Sequence, residues 1–403
     1  MKKKIIIVGG GIVGLSTAFF LLKEGHEVII IEKEKIKGGA SFENAGYITP
    51  SHIIPLASPG IISKGLKWML NSSSPFYIKP RINKDLFYWL LKFVKSCNNN
   101  HVQRSVNSLK QINEFSRELY QEIYSSKIFD FHLEKKGLLM AFKTLKAERN
   151  QTKVMSIAKD LGLDVSLISK DQVQSLQPGI EMDIKGAFHY LSDAHSSPWI
   201  FMEQLEKYLL ENGVKIIRGE NVESFIVNNN KVNSILTNSK RYESDYFVLC
   251  AGAWSENLMK PLGISLPIQA GKGYCINVEK ETGISMPSIL IESKVAVTPM
   301  IGITRFSGTM EISGINNSIK HNRVLAIASS VSNYYKDFHI SKQSQKNVKS
   351  ALRPLSPDGL PFIGKHSSCK NLIIATGHSM MGWSLGPATG KLVSEIISDK
   401  KTS

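Results

Sequence analysis

A short apolar run that ends in a glycine cluster dictates how this 403-residue chain begins to fold. Ile5-Ile6-Ile7-Val8 precedes Gly9-Gly10-Gly11-Ile12-Val13-Gly14, an apolar stretch continues to Glu24-Gly25, and a second run, Val28-Ile29-Ile30-Ile31, ends on Glu32. Strand, glycine turn, helix, strand and acid, in that order, make a βαβ unit that binds a dinucleotide. Gly9 permits the tight turn, Gly11 lets backbone approach a pyrophosphate, and Gly14 lets helix and strand pack closely. The helix start at Ile12 and Val13 offers free N–H groups and a partial positive charge to phosphates. Glu32, 18 residues after Gly14 and followed by Lys33, accepts hydrogen bonds from ribose hydroxyls.

The same segment has a competing reading. Residues 5–22 carry no charge and follow three lysines, as in a signal peptide or a spanning helix. Four glycines in that window weaken a spanning helix, and no small-residue cleavage site follows. Ile12, Leu15, Phe19 and Leu22 share one helical face, as a helix packed on a sheet requires.

At this length two domains are expected. A hydrophobic content of 42% with 21% charged residues fits a globular protein rather than a disordered one. Cys97, Cys250, Cys275 and Cys369 are far apart and show neither disulfide nor metal-ligand spacing. Reduced thiols, a cytoplasmic location and no metal site are therefore expected. The net charge of +16 is spread along the chain with no nucleic-acid-binding signature, so nucleic acid is not an expected partner. An anionic lipid surface is the better candidate, with residues 61–97, rich in Trp, Leu and Lys, as the local contact. The competing reading is an ordinary amphipathic helix facing the core.

Further along, loop is expected over 42–50, and helices over 61–126 with a break at 98–100. A strand is expected at 137–142, and helices at 144–161, 171–176 and 197–212. Strands follow at 214–217, 222–227, 232–237 and 246–250, then at 274–278, 295–299, 303–306 and 309–312. Helices at 321–334 and 341–349, a strand at 372–375 and a helix at 386–397 close the chain. The fold class is α/β with an α+β insert. A Rossmann-like discontinuous nucleotide domain (1–54, 188–267, 345–403) accompanies a mixed sheet-and-helix substrate domain (55–187, 268–344).

Several further stretches carry a family resemblance. They are Ser41-Phe42-Glu43-Asn44-Ala45-Gly46, Pro55 to Gly60, Gly271-Lys272-Gly273-Tyr274, Leu352-Arg353-Pro354 through Asp358-Gly359 to Gly364, and Thr376 to Ser384. With the glycine turn, they make the chain similar to glutathione-reductase-type flavoproteins of the D-amino-acid oxidase superfamily. Within these it most resembles the bacterial D-amino-acid dehydrogenase family, whose relatives include enzymes acting on D-proline or D-hydroxyproline. The resemblance implies FAD, with Gly9, Gly11, Gly14 and Glu32 at its ADP half. It places Ser41, Asn44, Ala45, Gly46 and Tyr47 beside the isoalloxazine, Val222 at the adenine, and Ala251, Gly252 and Trp254 at the nucleotide end. Gly377, His378, Met381, Gly382, Trp383 and Ser384 would bring backbone to the flavin ring.

The implied reaction is oxidative deamination of a D-amino acid by hydride transfer from Cα to flavin N5. Electrons then pass to a quinone or another electron-transfer partner, with a peripheral contact to the inner face of the cell membrane. Only a neutral amine can assist, and the substrate carboxylate needs a cation. Arg353 is the first candidate for that cation, with Tyr274, His378 and His52 as further catalytic candidates; each can equally be a structural residue. Related glycine oxidases carry an arginine in a Pro-Arg motif where this chain reads Thr298-Pro299-Met300, with Arg305 nearby. Two alternatives remain: a glycine- or sarcosine-type amine oxidase that makes hydrogen peroxide, and a basic, non-catalytic surface-binding protein on a nucleotide-binding scaffold.

Overall fold

A computed structural model describes residues 1–35, 37–63 and 74–400. The strand Lys4–Val8, helix Ile12–Lys23 and strand Glu27–Glu32 form as the sequence requires. The two strands pair in parallel, Ile5 beside Val28 through Val8 beside Ile31. They sit in a six-stranded sheet ordered Lys215–Arg218, Glu27–Glu32, Lys4–Val8, Tyr246–Leu249, Cys369–Thr376 and Phe362–His366. All neighbours are parallel except the last pair. Parallel strands covered on both faces need apolar side chains on both, hence the unbroken Ile-Ile-Ile-Val runs.

The glycine-loop helix is buried almost all round, from Ile12 to Leu21. Its single-face expectation is exceeded because the closing helix, Gly382–Ile397, crosses it on small residues. A Cβ on Gly390 would stand 2.5 Å from the Ser16 carbonyl carbon, so only glycine allows this approach. That helix starts four residues before the expected 386.

A large mixed sheet carries the other half of the molecule. Its path is Lys349–Leu355, Gln269–Val278, Ile303–Ile312, Val295–Met300, Ser288–Leu290, Leu138–Phe142, Gly186–Tyr190 and Val165–Ser169, with Phe76–Ile78 against Ile303–Ile312. Strands 349–355 and 186–190 pair here, although the expected boundaries at 345 and 188 assign the first wholly and the second largely to the nucleotide unit. The helix expected over 341–349 ends at Lys346, because Lys349 already pairs with Cys275. The loop expected over 42–50 is framed by a short helix, Gly39–Phe42, and a strand, Tyr47–Ile48.

Within 61–97, residues 64–73 lie outside the described region. The helix Lys84–Ser96 is described and has two apolar faces. Leu86, Trp89 and Phe93 are buried, while Phe87, Leu91 and Val94 are exposed. One face of this helix thus packs on the core, as the amphipathic reading expects, and the other is open to solvent. Among the described residues no helix is long and apolar enough to cross a membrane.

Candidate active site

The glycine turn forms one end of a cavity of about 1100 Å³, slightly larger than most small-molecule sites, which span roughly 300–1,000 Å³. Gly9, Gly11, Ile12, Val13, Glu32, Lys33, Ser41, Asn44, Val222, Ala251, Gly252, Trp254, His378, Gly382 and Trp383 line it. A Cβ on Gly9 would lie 2.4 Å from the Cys250 carbonyl oxygen, and one on Gly11 would meet only the Ser41 hydroxyl, at 3.2 Å. Gly9 is thus a packing requirement, whereas Gly11 keeps the floor open to a ligand. Glu32 accepts hydrogen bonds from the Gly10 N–H at 2.7 Å and the Glu34 N–H at 2.9 Å. Its carboxylate is thereby fixed at the cavity rim, with lone pairs left for hydroxyls. Beside it the Lys33 ammonium lies 3.2 Å from the Trp254 ring centroid.

Residues 42–46 are clamped at nearly every carbonyl, by the large sheet and by the separate strand Ala194–Ser196. The Arg305 guanidinium donates to the carbonyls of Phe42 (3.0 Å) and Asn44 (2.7 Å) and to Asn277 (2.9 Å). It pairs with Glu43 at 3.4 Å. Thr298, its cross-strand neighbour, donates to the Ala45 carbonyl at 2.8 Å, and the Ser196 N–H donates to the Gly46 carbonyl at 2.9 Å. Arg305 is committed to this clamp, which removes it as a free carboxylate ligand.

Arg353 differs. Strand 269–278 meets strand 303–312 with a bulge in which Gly273 faces both Thr309 and Met310. Thr309 takes φ +69°, a conformation unfavourable for a β-branched residue. Its carbonyl accepts from Arg353 Nη1 at 3.1 Å. The guanidinium lies directly on Gly273, where a Cβ would stand 2.1 Å from Nη1. Bulges of this kind re-aim side chains next to active sites. Among the described residues no carboxylate pairs with Arg353, and burial pushes its pKa below the usual arginine range. A half-buried arginine whose guanidinium lines the cavity, with no acid partner among the described residues, can receive an incoming anion.

The comparisons agree with this geometry. Residues 4–396 match the family described as FAD dependent oxidoreductase. The chain belongs to that family. Relatives named D-amino acid dehydrogenase include one from Granulibacter bethesdensis, 27% identical over 405 residues, and one from Neisseria meningitidis serogroup C, 29% identical over 406. Each alignment covers 99% of this chain and 96% of the relative. Solved structures with the same fold include glycine oxidase from Geobacillus kaustophilus (TM-score 0.78, 20% identity, 100% of this chain and 96% of that one). Another is L-proline dehydrogenase from P. horikoshii (TM-score 0.74, 19% identity, 99% and 94%).

This FAD dependent oxidoreductase keeps several expected site residues away from the cavity wall. Gly14 packs under the turn. Gly46 packs against the Ser196 carbonyl, and Gly377, at φ +78°, against Phe362. The Tyr47 hydroxyl donates to the carbonyls of Ser288 and Val297, and burial pushes its pKa up. Ser384 bonds Asn113 and the Thr49 N–H, and the Met381 sulfur accepts from Asn113. Tyr274 donates to the buried Glu311 carboxylate at 3.0 Å, so its hydroxyl is not offered to the cavity. Glu311 also holds Arg323 at 3.1 Å and Lys272 at 3.7 Å.

His378 lines the cavity, but its Nε2 bonds the Thr389 hydroxyl at 2.9 Å. His52 is not among the lining residues. Burial pushes both imidazoles down to about 4, so neither titrates near neutrality. Arg218, paired with Glu206 at 2.8 Å, and Asn316 also line the cavity. Neither was expected from the sequence, because Arg218 reaches the cavity from a strand end and Asn316 from a loop, both distant in the chain from the glycine turn.

Asp193 anchors the residues that follow the clamped 42–46 segment by accepting from the Ser51 N–H and hydroxyl. Burial raises its pKa to about 7, above the unfolded value of about 3.9. The native state thus holds a proton that the unfolded chain has lost. Stability falls as pH rises from about 4 to 7. Asp193→Asn removes this dependence, so its melting temperature relative to wild type is expected to rise between about pH 5 and pH 8. A difference that stays constant over that range would contradict a protonated native carboxyl.

Proposed function

We propose that this enzyme oxidises the Cα–N bond of a D-amino acid and hands the electrons to a quinone or another non-oxygen acceptor. The observation that carries the reading is the half-buried Arg353 guanidinium, which lines the cavity and has no carboxylate partner among the described residues. Relatives named D-amino acid dehydrogenase, aligned over 99% of the chain, support the substrate class. The open floor at Gly11, the fixed Glu32 carboxylate and the cavity volume fit FAD. FAD, when bound, supplies the two-electron redox chemistry.

The chain contributes orientation. Arg353 holds the substrate carboxylate through paired N–H donors. The clamped 42–46 segment fixes one wall, and Gly382 with Trp383 another. Cα gives up a hydride while the nitrogen lone pair forms the C=N bond of the imine product, so an ammonium substrate must first lose a proton. With His378 and His52 held neutral, the rate follows the substrate amine. Anaerobic bleaching of the yellow holoenzyme by D- and L-amino acids, proline and hydroxyproline included, tests this. Bleaching is expected with D-substrates, faster as pH rises through the amine's titration. Reduction only by glycine, sarcosine or L-amino acids, or peroxide formation under air, would overturn the assignment.

The helix Lys84–Ser96 supports the acceptor reading. Exposed Phe87, Leu91 and Val94 lie beside exposed Lys84 and Lys95 on a chain of net charge +16. Such a face suits the interface of an anionic bilayer, where quinones dissolve. Co-sedimentation with anionic vesicles is expected, and Phe87→Ser with Leu91→Ser should reduce it several-fold, since burying each side chain contributes about 1.5–3 kcal/mol. Equal partition of the variant and wild type would remove this face from the reading.

A further inference from the structure

We infer that His132, Glu134 and His195 form a binding site for one divalent transition-metal ion, of the zinc class, on the far side of the strand that braces the flavin loop. The strand Leu133–Glu134 pairs antiparallel with Ala194–Ser196, which places Glu134 opposite His195. His132, two residues from Glu134, projects to the same face. Nε2 of His132 lies 3.3 Å from one Glu134 oxygen, and Nε2 of His195 lies 3.7 Å from the other. One ligand atom from each of the three residues fits within a mutual distance of 4.8 Å. A tetrahedral ion with bonds of about 2.0–2.1 Å separates its ligands by roughly 3.3 Å, so modest side-chain movement closes the site.

Two features point to a ligand rather than to an ordinary ion pair. His195 is fully buried, and neither ring nitrogen makes a hydrogen bond of normal geometry, although the Pro299 carbonyl lies near the ring. Buried ring nitrogens of this kind call for a partner. His132 is held from behind, its Nδ1 bonded to the Ser197 hydroxyl at 3.0 Å, and that hydroxyl also accepts the Ile301 N–H. This is the support that orients a metal-bound imidazole and leaves Nε2 free to coordinate. Two imidazoles and a carboxylate select zinc, iron(II), cobalt or nickel over calcium and magnesium.

Lys136 is the competitor. Its ammonium sits 2.7 Å from Glu134, and its side chain is half exposed. An arriving ion must displace it, so Lys136 should weaken metal binding. The consequence for the enzyme follows from the strand. His195 is the cross-strand neighbour of Tyr47, and Ser196 holds the Gly46 carbonyl and accepts from Trp383 Nε1. A bound ion therefore stiffens the support of the flavin loop without touching the cavity.

The test uses chelator-treated holoenzyme. Zinc is titrated by calorimetry, and cobalt by the visible absorbance of its low-symmetry complex. One ion per chain and a raised melting temperature are expected for wild type. His132→Ala and Glu134→Gln, both partly exposed positions, should each weaken binding by about 10–100-fold or more, as loss of a ligand or its support does. Lys136→Met should tighten it. Lack of saturable binding in both wild type and the Lys136→Met variant would overturn the site. Binding that survives both Glu134→Gln and His132→Ala unchanged would do the same, because the ion would then sit elsewhere.

Discussion

Arg353→Ala is expected to lower kcat/KM for the amino-acid substrate by roughly 30-fold to a few thousand-fold, the equivalent of about 2–5 kcal/mol, while FAD stays bound. The magnitude follows from what the truncation leaves behind. A substrate carboxylate entering the cavity loses water, and without the guanidinium it is a buried, unpaired anion. Arg353→Lys should recover only part of the loss, because a single ammonium does not reproduce the planar fork. The alternative, that Arg353 merely ties down the bulge at Thr309, makes a different forecast: a lower melting temperature with KM unmoved. Steady-state kinetics beside a thermal melt separate the two. Arg305 is the natural contrast. Its donors are spent on Phe42, Asn44 and Asn277, so its replacement should disturb the flavin spectrum more than substrate affinity.

The second large effect belongs to the glycine turn. A Cβ on Gly14 would come within 2.0 Å of the Gly9 carbonyl oxygen, and no flexible side chain is there to yield. Gly14→Ala must push the helix Ile12–Lys23 off its strand, at a cost of about 1–3 kcal/mol or more. The same displacement shifts the helix N-terminus at the cavity end, where the proposed FAD would place its phosphates. Purified Gly14→Ala protein is expected to be colourless or to aggregate. Gly11→Ala is the informative companion. Its Cβ meets only the Ser41 hydroxyl, so the apoprotein should fold with an unchanged circular dichroism spectrum yet hold far less flavin. Full flavin occupancy in Gly11→Ala, read from the ratio of visible to ultraviolet absorbance, would show that nothing passes over that floor.

The two glycines mark how far the sequence could be read. Gly9, Gly11, Gly14 and Glu32 lie within one βαβ unit, where spacing alone places each group, so the turn that forms this end of the cavity was legible. The substrate end was not. Arg353 and Arg305 look alike in sequence, and the Tyr274 hydroxyl is committed to Glu311, a residue whose partner the spacing does not reveal. The strand Lys349–Leu355 has neither alternation nor a clean apolar run, and it becomes a strand only because Gln269–Val278 offers it an edge.

What the sequence settled by itself was the parallel nucleotide-binding half, because steric limits on a tight turn and unbroken β-branched runs admit few other folds. Only tertiary structure decided which arginine is free, which histidines are locked neutral, and that His132, Glu134 and His195 meet. Those outcomes depend on which strands pair and in what register, and on how much water the assembled layers exclude, neither of which is encoded at any fixed distance along the chain.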